Sequence, residues 1–559
     1  MAYQIDRSKC LCCYNCALEC PVQAIHYVGT GYSVDAARCI DCGHCAAVCN
    51  VDAAGSLKPE SAPQQHDTIR LTADIVVLGA GAAGIVAAVR AAEQSKGRII
   101  VLEKAKKFGG SGWFAGFMVS APGSKAALPP MVQAGQKTLL EGGIDPEILS
   151  LGQEGINRFF QWFRQLDERV DRLWKPCPGP GGTTTLDLTE RVFFNRKCRD
   201  KAIGPGRSTS VMEEILVEHF AEYDITLLTQ HQAVQLRRDQ TGAVCGVLAK
   251  DPGGMTEIAC KAVICCTGGF ANNENMMRTY APQYYGAPGD EPTHRFAAPT
   301  NTGDVVKLAE SVGACLDTKH YFANVFGPVH HPFSFCLFSF ALQPEMLNVN
   351  LEGKRFMDES TFGAGAAKII HQPGRVAWSI LDHPTRQLLG ARLSRGPDGE
   401  VLADFAAEFA EEAELDTPLK QADTLEELAD LCGIQRDTFL KTVSRYNEYC
   451  KQGKDPEFGK RPETMRPVEH GPFYAIYGKV ACDGAFGGML VNSRMEVFTE
   501  DRSEVIPGLF AAGDNSSGWA LRSEEEGDHR LMVCNECNWA ITSGFAAGES
   551  AADYLREKA

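Results

Sequence analysis

Between Asp74 and Gln94 the chain reads DIVVLGAGAAGIVAAVRAAEQ. The unbroken apolar run from Ile75 to Leu78 predicts a buried strand, and the residues after the glycines place their apolar positions on one helical face. A second apolar run, Arg98 to Leu102, ends at Glu103 and completes a strand–helix–strand unit. Further on, ITLLTQHQAVQLRRDQTGAVCGVLAK predicts two strands joined at a DQTG turn. KAVICCTGGF predicts a buried strand ending at Thr267, Gly268 and Gly269. IPGLFAAGDNSSG predicts another, ending at Gly513 and Asp514, with a helical stretch, CNWAITSGFAAGESAADYL, behind it. A polar segment, AAGSLKPESAPQQHD, separates this pattern from what precedes it and reads as a linker. No uninterrupted apolar run approaches ~18 residues, so no transmembrane helix is expected.

The first βα turn carries chemistry. Gly79, Gly81 and Gly84 have the G-x-G-x-x-G spacing between a strand and a helix. Gly79 serves the tight turn, Gly81 lets a pyrophosphate approach the backbone, and Gly84 lets the helix pack on the strand. The helix N-terminus then faces the anion. Glu103 follows Gly84 by about twenty residues, where a carboxylate meets the adenosine ribose. Alone, the glycines would be weak evidence; with strand, helix and acid in place they predict a dinucleotide fold. The β-hairpin ahead of the KAVICC strand is a usual adjunct of FAD-type domains, and no second fingerprint is left for a nicotinamide cofactor.

Cysteine spacing adds a second module. The chain has 22 cysteines, and Cys10, Cys13, Cys16 and Cys20 read C-x2-C-x2-C-x3-C before Pro21. Cys39, Cys42, Cys45 and Cys49 repeat the interval, with Asn50 in the proline's place. In two-cluster ferredoxins three thiolates come from one loop and the fourth ligates the other cluster. Cys10, Cys13, Cys16 and Cys49 are therefore expected to hold one [4Fe–4S] cluster, and Cys39, Cys42, Cys45 and Cys20 the second. Zinc ribbons use two separated C-x2-C pairs, and disulfides suit an oxidising compartment, so both alternatives fit poorly. Cys12 lies off the pattern.

Composition narrows the partners. At 559 residues the chain has room for several domains, and its net charge of −16 disfavours nucleic acid or an anionic membrane surface. The start, MAYQIDRSKC, shows neither a signal peptide's apolar stretch nor a twin arginine, so a cytoplasmic location is expected.

From Asp74 to Leu555 the chain resembles the flavoprotein superfamily of fumarate reductase, succinate dehydrogenase, ketosteroid dehydrogenases and adenylylsulfate reductase. The landmarks are GAGAAG, VLEK, GGSGWFAG, CTGGFANNENM, NTGDVVKLAESVGA, VNLEGKRFMDE and GLFAAGD. With the cysteine module, the implied fold is an α+β ferredoxin-like unit, then a split α/β Rossmann-type FAD domain with an inserted α+β capping domain. The expected boundaries are 1–52 for the module, 53–70 for the linker, 71–328 and 476–559 for the FAD domain, and 329–475 for the cap. The resemblance implies adenosine and pyrophosphate contacts from Gly79, Gly81, Gly84, Glu103 and Lys104. It puts Gly110 and Ser111 beside the isoalloxazine, and Ala233 and Val234 as backbone against the adenine. Thr267 and Gly268 would flank the cofactor, Gly513 and Asp514 would face the ribityl chain, and Asn535 the pyrimidine edge. GGSGWFAG has no histidine for covalent attachment, so non-covalent FAD is expected.

The resemblance also carries two departures. Fumarate-reducing members protonate substrate from an arginine seven residues after the Phe of G-x-R-F; counted from Phe356 that position is Gly363. The later histidine, expected near Asp483 or Gly484, is missing too. The candidates left for substrate contact are His330, His331, Arg530 and Tyr285, since histidine titrates near neutrality and arginine suits oxyanions. The function implied is reduction of an activated C=C, an enone or enoate of a small organic substrate. Electrons would come from a ferredoxin, a flavodoxin or another redox protein. Adenylylsulfate-type sulfur chemistry and an electron-transfer subunit of a larger complex are the alternatives, and a homo-oligomer is left open.

Overall fold

The computed structural model describes residues 3–12, 15–29, 31–49, 51–56, 65–114, 120–121, 130–178, 184–188, 208–282, 294–295, 297–318, 322–330, 334–360, 368–393, 404–520 and 533–558. The N-terminal module is built from short elements: β1 (Tyr3–Ile5), α1 (Asn15–Leu18), β2 (Ile25–Tyr27), β3 (Tyr32–Val34), α2 (His44–Val48) and β4 (Ala54–Ser56). β1 pairs antiparallel with β4, and β2 with β3. β4 lies within the stretch expected to be linker, so the module runs to Ser56.

The nucleotide domain begins with β5 (Ile69–Thr72), β6 (Ile75–Leu78), α3 (Ala82–Ser95) and β7 (Ile99–Glu103). All four residues of β6 have no exposed surface. Burying such side chains contributes roughly 1.5–3 kcal/mol each, which explains a strand apolar on both faces. α4 (Pro146–Leu166) follows, capped by the Asp145 side chain, which accepts from Glu147 N. Then come β8 (Ile225–Thr229), β9 (Gln232–Arg238), β10 (Val244–Lys250), β11 (Met255–Ala259) and β12 (Ala262–Cys265). The strands run parallel in the order β8–β7–β6–β12, while β9, β10, β11 and β5 form a separate sheet. Where the sequence predicts one long strand before the DQTG turn there are two. Gln230 (φ 58°) breaks the run, sending ITLLT into the parallel sheet.

The cap carries a second sheet in which β13 (Phe322–Val329), β14 (Leu347–Val349), β15 (Val376–Leu381), β16 (Leu419–Ala422) and β17 (Phe473–Phe486) pair antiparallel and the short strand His294–Arg295 joins β17 in parallel, with α5 (Leu425–Cys432) and α6 (Arg436–Gln452) packed on it. β13, β15 and β16 all pair with β17, so this sheet starts before residue 329 and continues past 475. The chain then returns. β18 (Glu496–Phe498) pairs antiparallel with β19 (Val505–Ala511), and β19 lies parallel to β12, completing the nucleotide-domain sheet.

α7 (Glu536–Lys558) closes the domain by packing on α3. Small residues make that approach possible. A Cβ on Gly548 would stand 2.7 Å from the Ala87 carbonyl oxygen, and one on Gly544 would strike that of Ala83.

Candidate functional site

The glycine loop between β6 and α3 has the shape an anion cradle requires. Gly79 has φ 98°, and a Cβ there would run into the Cys266 carbonyl oxygen. A Cβ on Gly84 would collide with Gly79 O. Gly81 differs: its Cβ would meet nothing closer than Gly109 O, at 3.8 Å. The first and third glycines are thus demanded by the protein itself, whereas the second keeps open the space in front of the helix N-terminus, as an FAD pyrophosphate needs. Gly109 donates to Ala80 O at 2.6 Å, which ties the turn carrying Gly110 and Ser111 to this loop.

Glu103, at the end of β7, is buried, and that burial raises its carboxyl, opposed by the backbone N–H groups of Ala105 and Ala80 and by the charge of Lys104. Its Oε2 accepts from Ala80 N at 2.9 Å and its Oε1 from Ala105 N at 2.7 Å. Ala233 and Val234 lie where the ladder between β9 and β10 slips, with a register shift between Ala233 and Gln235. Such a bulge takes one residue out of the pairing and leaves its backbone to bond elsewhere.

The far wall of the site is the seam between the domain's two halves. Thr267 and Gly268 follow β12, and Gly513 and Asp514 follow β19. Gly513 donates to Ser543 Oγ at 2.9 Å, fixing the turn to α7. Desolvation, reinforced by Glu536, pushes the Asp514 carboxyl up to about 7, although the Gly269 N–H bonded to it pulls the other way. The Asn535 side chain accepts from Asn538 N at 2.8 Å, at the N-terminus of α7.

A strap over residues 297–304 was not anticipated. Lys104 Nζ donates to Thr302 Oγ1 and Asp304 Oδ2, both at 2.8 Å. Ser111 Oγ accepts from Ala298 N and Asn301 Nδ2, both at 3.1 Å. Gly303 N donates to Gly269 O at 3.0 Å, so the strap joins both ends of the site. The signal available was NTGD, a polar turn before a helix, which carries no periodicity.

Among the expected substrate residues, His331, Arg530 and Tyr285 lie outside the described residues. His330 is fully buried after β13. Tyr280 packs edge-on against Phe270, with ring centroids 5.9 Å apart. Cys265 and Cys266 are buried strand-end thiols, both raised by desolvation, Cys265 to about 12. Burial likewise raises the Cys534 thiol, the opposite of the lowering that makes a cysteine reactive.

In the N-terminal module the two cysteine loops repeat one another in three dimensions. Asp6 O accepts from Cys10 N at 3.1 Å and Asp35 O from Cys39 N at 3.0 Å. Cys12 and Asp41 share a left-handed conformation, φ 55° and 57°, as do Gln23 and Asp52, φ 52° and 49°. Cys20 Sγ accepts from Ala24 N at 3.2 Å, and Cys49 Sγ from Ala53 N at 3.1 Å. Burial pushes the Cys45 thiol up to about 11, and the nearby Cys39, Cys42 and Cys20 push in the same direction. Cys20 thus neighbours the second loop. Cys13 lies outside the described residues, and among those described no three His, Cys, Asp or Glu side chains form a site for a single metal ion. The module touches both larger domains. Lys107 Nζ donates to Ala46 O at 3.2 Å, and Gly29 packs on the Asp416 backbone so closely that a Cβ would stand 2.6 Å from its carbonyl oxygen.

A parallel sheet with a glycine cradle at its carboxyl edge, split by an inserted cap, defines a dinucleotide-binding flavoprotein. The sequence profile of the FAD binding domain family matches residues 74–524, and the chain belongs to that family. It is an FAD-dependent oxidoreductase. It is 27% identical over 514 residues to urocanate reductase of Eggerthella lenta, covering 89% of this chain and 77% of that protein. It is also 27% identical to vinyl phenol reductase of Lactiplantibacillus plantarum, covering 87% of this chain and 97% of that one. The 3-ketosteroid Δ1-dehydrogenase structure from Sterolibacterium denitrificans shares the fold, with TM-score 0.67 and 20% identity over 86% of this chain and 99% of that one. Among the described residues no helix is long and apolar enough to cross a membrane.

Proposed function

We propose that this protein reduces an activated C=C bond, in an enone or enoate, with non-covalent FAD. Single electrons enter through two [4Fe–4S] clusters held by the eight cysteines of the N-terminal module. The observation that carries this reading is the docked module: Lys107, in the loop leading to Gly110 and Ser111, holds Ala46, the residue after Cys45. An electron feed must lie against its acceptor, whereas an unrelated appendage would need no such contact. Cys20 beside the second loop, and the N–H donors to Cys20 and Cys49, support the crossed ligand sets, since hydrogen bonds to sulfur tune such clusters. Cys10, Cys13, Cys16 and Cys49 would hold one cluster, and Cys39, Cys42, Cys45 and Cys20 the other.

In the flavin site, bound FAD would supply a hydride to the substrate carbon. Gly79, Gly81 and Gly84 would receive the pyrophosphate, Glu103 the ribose, and Ala233 and Val234 the adenine. Gly110, Ser111, Thr267, Gly268, Gly513 and Asp514 would line the flavin half, with Asn535 at its pyrimidine edge and Lys104 acting through the strap. His331 and Arg530, with His330 and Tyr285, remain our candidates for substrate binding and protonation. The similarity to urocanate and vinyl phenol reductases supports an unsaturated substrate, and Gly363 in place of the proton-donating arginine argues against fumarate. A ferredoxin- or flavodoxin-type donor in the cytoplasm suits the module.

An anaerobic screen tests the substrate class. Viologen-reduced enzyme is offered a panel of enones and enoates together with adenylylsulfate. Reoxidation by an enone or enoate is expected; reoxidation by adenylylsulfate alone, or by none of them, would sink the reading.

A further inference from the structure

The Thr267–Gly269 turn, which ends β12, is grasped from the other half of the split domain by two consecutive residues. Asn515 Oδ1 accepts from Thr267 N at 2.5 Å and from Thr267 Oγ1 at 2.8 Å. Its Nδ2 donates to Gly268 O at 2.7 Å. The preceding residue, Asp514, accepts from the Gly269 N–H. Asn515 has no exposed surface, so it reaches a cofactor only through the residues it holds. Gly268 sits at φ 76°, and a Cβ there would lie 2.5 Å from Asn301 Oδ1. Asn301 Nδ2 in turn bonds Ser111 Oγ at 3.1 Å. One continuous seam therefore runs from Asn515 through the Thr267–Gly268 turn to Ser111, crossing chain segments separated in sequence by the whole cap.

We propose that Asn515 is a positioning residue for the flavin: by clasping Thr267 and Gly268 it fixes both halves of the site, and so sets cofactor affinity and potential. The chemistry calls for asparagine. A single planar amide supplies an acceptor for two Thr267 donors and a donor for the Gly268 carbonyl. Aspartate lacks that donor and would put a second carboxylate beside Asp514; leucine keeps the shape but none of the bonds. The proposal rests on Thr267, Gly268 and Asp514 being cofactor contacts.

The test is FAD titration of flavin-free protein, with the flavin spectrum and midpoint potential recorded for each variant. Asn515→Leu is expected to weaken FAD by about tenfold or more, because the net loss includes buried donors left unpaired. Thr267→Val should weaken it less, and adding Thr267→Val to Asn515→Leu should cost little more, since the two act as one unit. A purely structural asparagine would lower the unfolding temperature of the apoprotein while leaving affinity, spectrum and potential unchanged, and that result would overturn the proposal. If Asn515→Leu does not fold, Asn515→Asp and Thr267→Val carry the test alone, and unaltered FAD binding and potential in both would reject it. Asp514→Ala separates the levels: if it too leaves FAD affinity untouched, the site assignment has failed rather than the clasp.

Discussion

Two groups of buried charge, one in the cap and one in the nucleotide domain, are stabilised in opposite ways. In the cap, Arg355 bonds Glu359 through Nε at 3.0 Å and Nη2 at 2.7 Å, and its Nη1 pairs with Asp455 at 2.8 Å. Lys460 pairs with Glu359 at 3.3 Å and donates to Met346 O at 2.7 Å. The Tyr446 ring centre lies 5.1 Å from both cations. This set is closed, two cations meeting two anions. In the nucleotide domain Glu103 and Asp514 are answered by backbone N–H groups. Glu213 finds no hydrogen-bond partner among the described residues. Desolvation raises all three carboxyls. A charge cluster that balances itself serves the fold, whereas Glu103 and Asp514, which meet no such closed set, stand in our proposal beside the cofactor.

Breaking the closed set has the largest expected effect. Arg355→Met leaves Glu359 and Asp455 without their main partner and should cost about 3–5 kcal/mol, read by denaturant unfolding. A loss under about 1 kcal/mol would mean the cluster is not the cap's anchor.

The glycine cradle sharpens the contrast, because two neighbouring glycines should fail differently. Gly81→Ala should leave the flavin-free protein's unfolding temperature unchanged yet abolish flavin retention. Gly84→Ala, whose Cβ meets Gly79 O, should lower that temperature as well. Equal behaviour of the two variants would contradict a cradle kept open for ligand.

Asp514 gives a pH test. Its carboxyl is raised in the fold, so the stability it contributes is complete below about pH 4 and is lost as pH rises through about 7. Wild-type apoprotein should lose a few kcal/mol relative to Asp514→Asn across that window, measured by unfolding at stepped pH. Parallel pH profiles for the two proteins would refute the assignment. The smallest effect has the opposite sign: Glu213→Met should stabilise the apoprotein by about 1 kcal/mol by removing an unsatisfied buried carboxyl. A net loss would show that the carboxyl has a partner in the folded state.

How much of this could be read beforehand depended on what imposes each residue. The turn at Gly79 and Gly84 was legible because backbone geometry there leaves no room for a Cβ and fixes the spacing. The bulge at Val234 coincides with the position that the family resemblance pointed to. Asn515 and the strap were not legible, since their bonds join residues far apart in sequence and polar side chains in turns leave no period. Gln230 hid a strand boundary in the same way, because a left-handed glutamine is no conspicuous breaker. Gly29 against Asp416 and Lys107 against Ala46 are contacts between domains, on which no single segment's pattern bears.

The most direct test of the central claim, that the cysteine module feeds the flavin, is rapid-mixing absorbance of the intact, anaerobically purified protein. Wild type should carry about eight irons per chain. A reduced ferredoxin should bleach its flavin, whereas Cys16→Ser should lose that reaction and keep direct reduction of the flavin by dithionite. Unchanged ferredoxin-driven bleaching in Cys16→Ser, or wild-type protein without iron, would contradict the account.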